Sequence, residues 1–161
     1  MTKSMVIGYG NTLRRDDGAG VAAAEKLSRD SPGANVLALQ ELHPGLAEDV
    51  ASCGLVVFLD ASVRTSTMSV TRVSPGGSMH GAEGHALSPA GVLAICSGLY
   101  GRTPENALLV EIPAFDCGFG ETMSARTLRM IDDCAHLISE LLSGETTPEI
   151  LLNLTPFPAA G

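Results

Sequence analysis

The segment Val6–Gly20, VIGYGNTLRRDDGAG, constrains this chain more than any other. A short apolar run breaks at Gly8 and Gly10 and passes through a polar loop. The loop ends in adjacent carboxylates, Asp16 and Asp17, just before a glycine-containing helix start. Strand, glycine turn and helix in that order predict an α/β protein with a ligand site above its first strand. A dinucleotide fits poorly there. The fingerprint G-x-G-x-x-G needs a third glycine where this chain has Leu13, and Asp16 and Asp17 stand where a pyrophosphate would sit. No G-x-x-x-x-G-K-[ST] loop occurs either. A carboxylate pair at the carboxyl end of a strand suits a cation. The plainer alternative is that one Asp only caps the helix.

The rest of the chain continues the alternation of strand and helix. Ser4–Gly8 reads as the first strand, and 18–29 as a helix with Val21, Ala24 and Leu27 on one stripe. After the SPGAN turn, Val36–Gln40 is the second strand, and Pro44 opens a helix to about Ser52. LVVFL at Leu55–Leu59 is continuous and β-branched, as expected of a central parallel strand buried on both faces. Thr67–Val73 alternates imperfectly and reads as an edge strand. A Gly-rich loop then leads to a helix at Pro89–Tyr100, with Ser88 as N-cap and Val92, Ile95 and Leu99 facing inward. Ala107–Ile112 is the fifth strand. Thr122–Leu142 is an amphipathic helix whose apolar stripe runs through Leu128, Ile131, Ala135, Ile138 and Leu142. The expected architecture is a three-layer α/β/α sandwich around a mostly parallel, twisted five-stranded sheet with one antiparallel edge strand. It forms one domain over residues 1–144, followed by a tail at 145–161 in which ILLNL could dock on the body.

Beyond Asp16 and Asp17, few residues carry chemistry. Asp60 directly follows the central strand, which puts a carboxylate in the crevice where α/β proteins bind ligands. His80, Glu83 and His85 lie in the Gly-rich loop. Glu41 and His43 stand near the end of the second strand, where a surface loop is the simpler account. The four cysteines form no C-x-x-C, and Cys53, Cys96 and Cys134 sit among apolar neighbours as small buried hydrophobes. Cys117, in FDCGFG, is the best thiol nucleophile available, but no base accompanies it. A formal net charge of -8 argues against nucleic acid, whose phosphates need basic patches. No apolar run approaches the ~20 residues that cross a bilayer. The N-terminus lacks a signal-peptide layout, so a cytoplasmic location is expected.

GYGNTLRRDDGAGV resembles the N-terminal signature of the hydrogenase maturation endopeptidases, G-x-G-N-x-L-x-x-D-[DE]-G-x-G. Gly8, Gly10, Asn11, Leu13, Asp16, Asp17, Gly18 and Gly20 all match it. VVFLDA is similar to the family's second acidic motif, in which the Asp, here Asp60, is a metal ligand. The family's histidine directly precedes a helix like that at Pro89, which points to His85, with His80 as fallback. The Gln40–Pro44 loop departs from the family, which has an acidic residue and a Gly-Gly-Thr turn there. Many members also carry Glu at the position of Asp17.

The resemblance implies an enzyme that removes the C-terminal extension of a nickel–iron hydrogenase large-subunit precursor. It implies Asp17, Asp60 and His85 as catalytic and metal-binding residues, and Gly10, Asn11, Asp16, Glu41 and His43 as candidate substrate contacts. Two carboxylates and an imidazole suit nickel, zinc, iron or manganese, and three protein ligands leave room for water or substrate. On this view nickel arrives with the precursor and the protein needs no metal of its own, although cadmium or zinc could occupy the same ligands. The partner is the precursor, with no nucleic acid and no membrane, and the protein is a monomer. The competing expectation is a maturation chaperone that binds the nickel-loaded precursor without cutting it.

Overall fold

The first strand, β1, runs over Ser4–Tyr9, one residue further than the apolar run predicts. A computed structural model of the 161-residue chain describes residues 2–81, 84 and 86–154. A 3-10 turn at Arg15–Gly18 leads into α1, Ala19–Asp30. Then come β2 (Val36–Leu39), a 3-10 turn at Pro44–Leu46, α2 (Ala47–Ala51), β3 (Leu55–Ser62) and β4 (Ser69–Arg72). They are followed by α3 (Pro89–Tyr100), β5 (Asn106–Pro113), α4 (Ala125–Ser143) and α5 (Pro148–Asn153).

The sheet order is β2-β1-β3-β5-β4, parallel except at the β4 edge, where β4 runs antiparallel to β5. The expected sheet, with its antiparallel edge, is therefore present. Alternate residues of each strand face opposite layers. Val6, Val57, Leu59, Val110 and Ile112 pack with α1 and α4 on one face. Ile7, Val56, Phe58 and Ala107 pack with α2 and α3 on the other. The β3 residues between Val56 and Leu59 are fully buried, as a central strand requires.

Two inward stripes differ from expectation. In α3, Leu99 is 73 % exposed, and the buried positions are Val92, Leu93 and Cys96. The last turn of α3, residues 97–100, is exposed throughout and runs past its cover. In α4, Leu128 is 49 % exposed, and Thr127 takes the inward place at the head of the stripe. Thr127 tolerates burial because its hydroxyl donates to the Pro113 carbonyl at 3.0 Å. The stripe then continues through Ile131, Cys134, Ala135, Ile138 and Leu141. Ser88 and Ser124 cap α3 and α4, each hydroxyl accepting a backbone N–H three residues on. Beyond residue 144, α5 lies against β4, and Leu151 is fully buried in the α1/α4 core.

This topology fixes where a site can form. The carboxyl ends of β1, β3 and β5 share one edge. Because α3 returns the chain to the amino edge, where β5 begins, its own N-terminus stands at the carboxyl edge.

Candidate functional site

The glycines of the first motif let the head of α1 press against two strand ends. A Cβ on Gly20 would fall 2.2 Å from the Leu59 carbonyl oxygen and 2.7 Å from that of Tyr9, and one on Gly8 would fall 2.1 Å from the Gly20 carbonyl oxygen. Gly10 takes φ +148°, which L side chains rarely adopt, and a Cβ there would meet the Asp17 carbonyl oxygen at 2.2 Å. The chain thus doubles back on itself, and Asp17 returns beside the end of β1. The Asn11 N–H donates to Asp17 Oδ2 at 3.2 Å, which fixes one carboxylate oxygen.

Asp60 lies within β3, not after it, because the strand extends to Ser62. Gly8 pairs with Leu59 and Asp60 pairs with Glu111, so Tyr9, Asp60 and Glu111 form one row across three parallel strands. By the alternation of the sheet, this row faces the α2/α3 layer. The Tyr9 hydroxyl donates to the Asp60 carboxylate. Burial is the main force on Asp60 and pushes its carboxyl up, to about 7. The Tyr9 hydroxyl and the Ala61 N–H oppose this by stabilising the charged form, while the charges of Asp17 and Glu111 add to the rise. Burial, then the Asp60 charge, drives the Tyr9 phenol far above its ordinary range, so Tyr9 remains a hydrogen-bond donor. Glu111 is partly neutralised, with Arg64 at 3.8 Å and the Ser69 hydroxyl at 3.4 Å.

Asp16 turns the other way. It is fully buried and accepts hydrogen bonds from the N–H groups of Phe115 and Asp116 at 2.9 Å and from the N–H and hydroxyl of Ser124 at 2.8 Å. Burial alone would raise its pKa. The four donors outweigh burial and hold the carboxyl at about 2. Adjacent aspartates are thus split in role: Asp17 stands at the strand edge with Asp60, while Asp16 is consumed in holding the 114–124 segment.

Gly10 and Asn11 line a cavity of about 260 Å³ between the first loop, α1 and the end of β2. Glu41, His43 and His80 are exposed. His85 and Glu83 lie outside the described residues. Among the described residues, no group of three or more His, Cys, Asp or Glu side chains is placed to hold a metal ion. The carboxylates of Asp17 and Asp60 still suit a divalent cation in kind. They are hard oxygen donors, and their mutual repulsion with Glu111 would be relieved by positive charge. Burial, then the charges of Asp17 and Asp16, raises the Cys117 thiol and keeps it out of the nucleophilic thiolate form.

Sequence reasoning overlooks Tyr9, Glu111 and Ser124. The Tyr9–Asp60–Glu111 row depends on the register of strands far apart in the chain. The one available signal was that the apolar runs of β1 and β5 each give way to a polar side chain, Tyr9 and Glu111, as that of β3 does at Asp60.

No protein-family model matches the chain, and no curated protein matches it. Solved structures do. The [NiFe] hydrogenase maturation protease HycI of Thermococcus kodakarensis KOD1 is 25% identical, with a TM-score of 0.67 over 88% of this chain and 93% of that one. The hydrogenase maturating endopeptidase HybD of E. coli is 20% identical, with a TM-score of 0.65 over 90% and 95% of the two chains. A hydrogenase 2 maturation peptidase of Thaumarchaeota archaeon SCGC_AB-539-E09 is 19% identical, with a TM-score of 0.65 over 88% and 98%. No described helix is long and apolar enough to cross a membrane. Over most of its length, therefore, the chain has the α/β architecture of the hydrogenase maturation endopeptidases, the family that the Gly8–Gly20 motif resembles.

Proposed function

We propose that this protein is an endopeptidase that removes the C-terminal extension of a nickel–iron hydrogenase large-subunit precursor, and that it recognises the nickel already held by that precursor. The observation that carries this reading is the convergence of Asp17 and Asp60 at the carboxyl edge, where burial and the neighbouring charges of Asp17 and Glu111 lift Asp60 to about 7. A buried carboxylate held against like charges is costly to the free protein, and such costs mark functional sites. The solved structures of the same fold, named as hydrogenase maturation proteases, support the reaction class.

In this reading Asp17 and Asp60 present oxygen donors to the precursor's nickel, and His85 adds an imidazole. The Asn11 N–H orients Asp17, and the Tyr9 hydroxyl orients Asp60. A metal ion at this edge would polarise the scissile carbonyl or acidify a water. The alternative role for Asp60 is general base in place of ligand: free of metal, a carboxylate at about 7 is matched to accept a proton from the attacking water.

The test is a processing assay with the large-subunit precursor prepared with and without nickel, using wild type, Asp17→Asn and Asp60→Asn. Cleavage of the loaded precursor by wild type alone is expected. Equal cleavage of nickel-free precursor would sink the nickel-recognition reading. Binding of the loaded precursor with no cleavage by wild type would favour the chaperone alternative.

A further inference from the structure

The 114–124 segment is tied firmly to the first loop, yet it presents two aromatic rings to solvent. Phe119 is 88% exposed and Phe115 41%, and Leu13 beside them is 59% exposed. The Arg15 N–H donates to the Gly120 carbonyl and the Gly120 N–H to the Leu13 carbonyl, both at 2.9 Å. Arg14 Nε donates to the Cys117 carbonyl at 3.3 Å, and Arg15 Nε to that of Phe119 at 3.2 Å. The Asp16 carboxylate anchors the base of the same segment. The rings are therefore held out at defined positions, against the cost of exposing apolar surface.

Two guanidiniums share this ledge. Arg126 lies 4.2 Å from the centre of the Phe115 ring, and Arg14 lies 6.0 Å from that of Phe119. Among the described residues neither makes an ion pair, whereas Arg15 is matched to Asp116 at 3.3 Å. Unmatched cations on a chain of net charge -8 run against the overall field. Glu121, the other exposed carboxylate of the segment besides Asp116, lies beyond Gly120. The ledge also adjoins the carboxylate edge, since the charge of Asp17 acts on Cys117.

We infer that this arginine–phenylalanine ledge docks an extended acidic segment of the polypeptide substrate, with carboxylates on Arg14 and Arg126 and apolar side chains on Phe115, Phe119 and Leu13. Arginine and aromatic side chains on a rigid support are what energetically dominant contacts are built from, and the pre-formed geometry lowers the ordering cost of binding. The inference rests on the reading of the chain as a processing peptidase, and adds how a large substrate is held beside Asp17 and Asp60.

The probe is a set of overlapping synthetic peptides covering the hydrogenase large-subunit precursor of the source organism, with binding measured by fluorescence anisotropy. Wild type should bind acidic peptides that carry aromatic or aliphatic residues. Phe119→Ser should weaken that binding at least tenfold, and Arg14→Glu with Arg126→Glu should abolish it. Circular dichroism should show the ledge variants folded, since their altered side chains are exposed. Binding indifferent to the charge reversal, or confined to basic peptides, would overturn the inference. So would a wild-type dimer that Phe119→Ser converts to monomer, because the ledge would then be a contact between copies. If acidic peptides bind at the ledge but no precursor is cut, the docking site stands and the peptidase reading fails. If precursor is cut with a KM that the ledge variants leave unchanged, the peptidase reading stands and the docking site fails.

Discussion

Asp16 and Ser124, separated by 108 residues in sequence, are joined by two hydrogen bonds of 2.8 Å, one from the Ser124 N–H and one from its hydroxyl. Together with the N–H groups of Phe115 and Asp116, they make Asp16 the clasp between the first loop and the start of α4. Asp16→Ala leaves these donors without their acceptor and should cost on the order of 3 kcal/mol in urea denaturation.

The same clasp sets an acid limit. The folded carboxyl is held at about 2, against an ordinary value of 3.8. A depressed carboxylate stabilises the fold above the unfolded pKa, and that contribution is lost as pH falls through the folded pKa. Thermal melts from pH 5 down to pH 2 should show a loss of about 2 kcal/mol from this residue, centred between pH 4 and 2. Asp16→Asn, although less stable at pH 7, should lack that part of the slope.

Asp60 predicts the opposite sign. Its folded value of about 7 exceeds the ordinary 3.8, so the folded state binds the extra proton between those limits. Stability from this group is therefore fullest below pH 4 and declines as pH rises toward 7. Asp60→Asn keeps the acceptor for Tyr9 and removes the charge. It should stabilise the free protein at pH 8 by an amount on the order of 2 kcal/mol, read as a higher melting temperature, and the gap should close near pH 4. An unchanged melting temperature at pH 8 would show that the carboxylate is not held against its environment.

If Asp60 holds a divalent cation, protons compete with it for the carboxylate. Calorimetric titration with cadmium should give one site that Asp17→Asn and Asp60→Asn each remove. Its affinity should weaken about tenfold per pH unit below 7. His85→Ala should remove it too, whereas His80→Ala and Cys117→Ser should leave both binding and processing intact. Loss with His80→Ala alone would move the imidazole to His80.

Gly20 has no room for a side chain. Gly20→Ala drives a Cβ to 2.2 Å from the Leu59 carbonyl oxygen, so the head of α1 must lift from β1 and β3. The expected cost is about 3 kcal/mol by urea denaturation, with loss of cadmium binding as Asp17 moves away from Asp60.

The sequence by itself determined what depends on local periodicity and spacing. The run VIGYGNTLRRDDGAG specifies strand, turn and helix, and LVVFLDA specifies a buried strand that carries a carboxylate, although the strand runs on past Asp60 to Ser62. The antiparallel edge at β4 and the Ser88 cap were legible in the same way, because each reports its own environment within a few residues. Tertiary structure alone decided how each aspartate of the first motif is held. Asp16 and Asp17 are neighbours of identical chemistry, and their division follows from donors on a segment about 100 residues away. The row of Tyr9, Asp60 and Glu111 likewise exists only through strand register, a relation between distant segments. Leu99 and Leu128 fit the helical period yet lie in water, and Thr127 lies inside because the Pro113 carbonyl receives its hydroxyl. A helix's own repeat fixes the spacing of its stripe. Where the covering layer ends, and which polar group finds a partner beneath it, are properties of the packed whole.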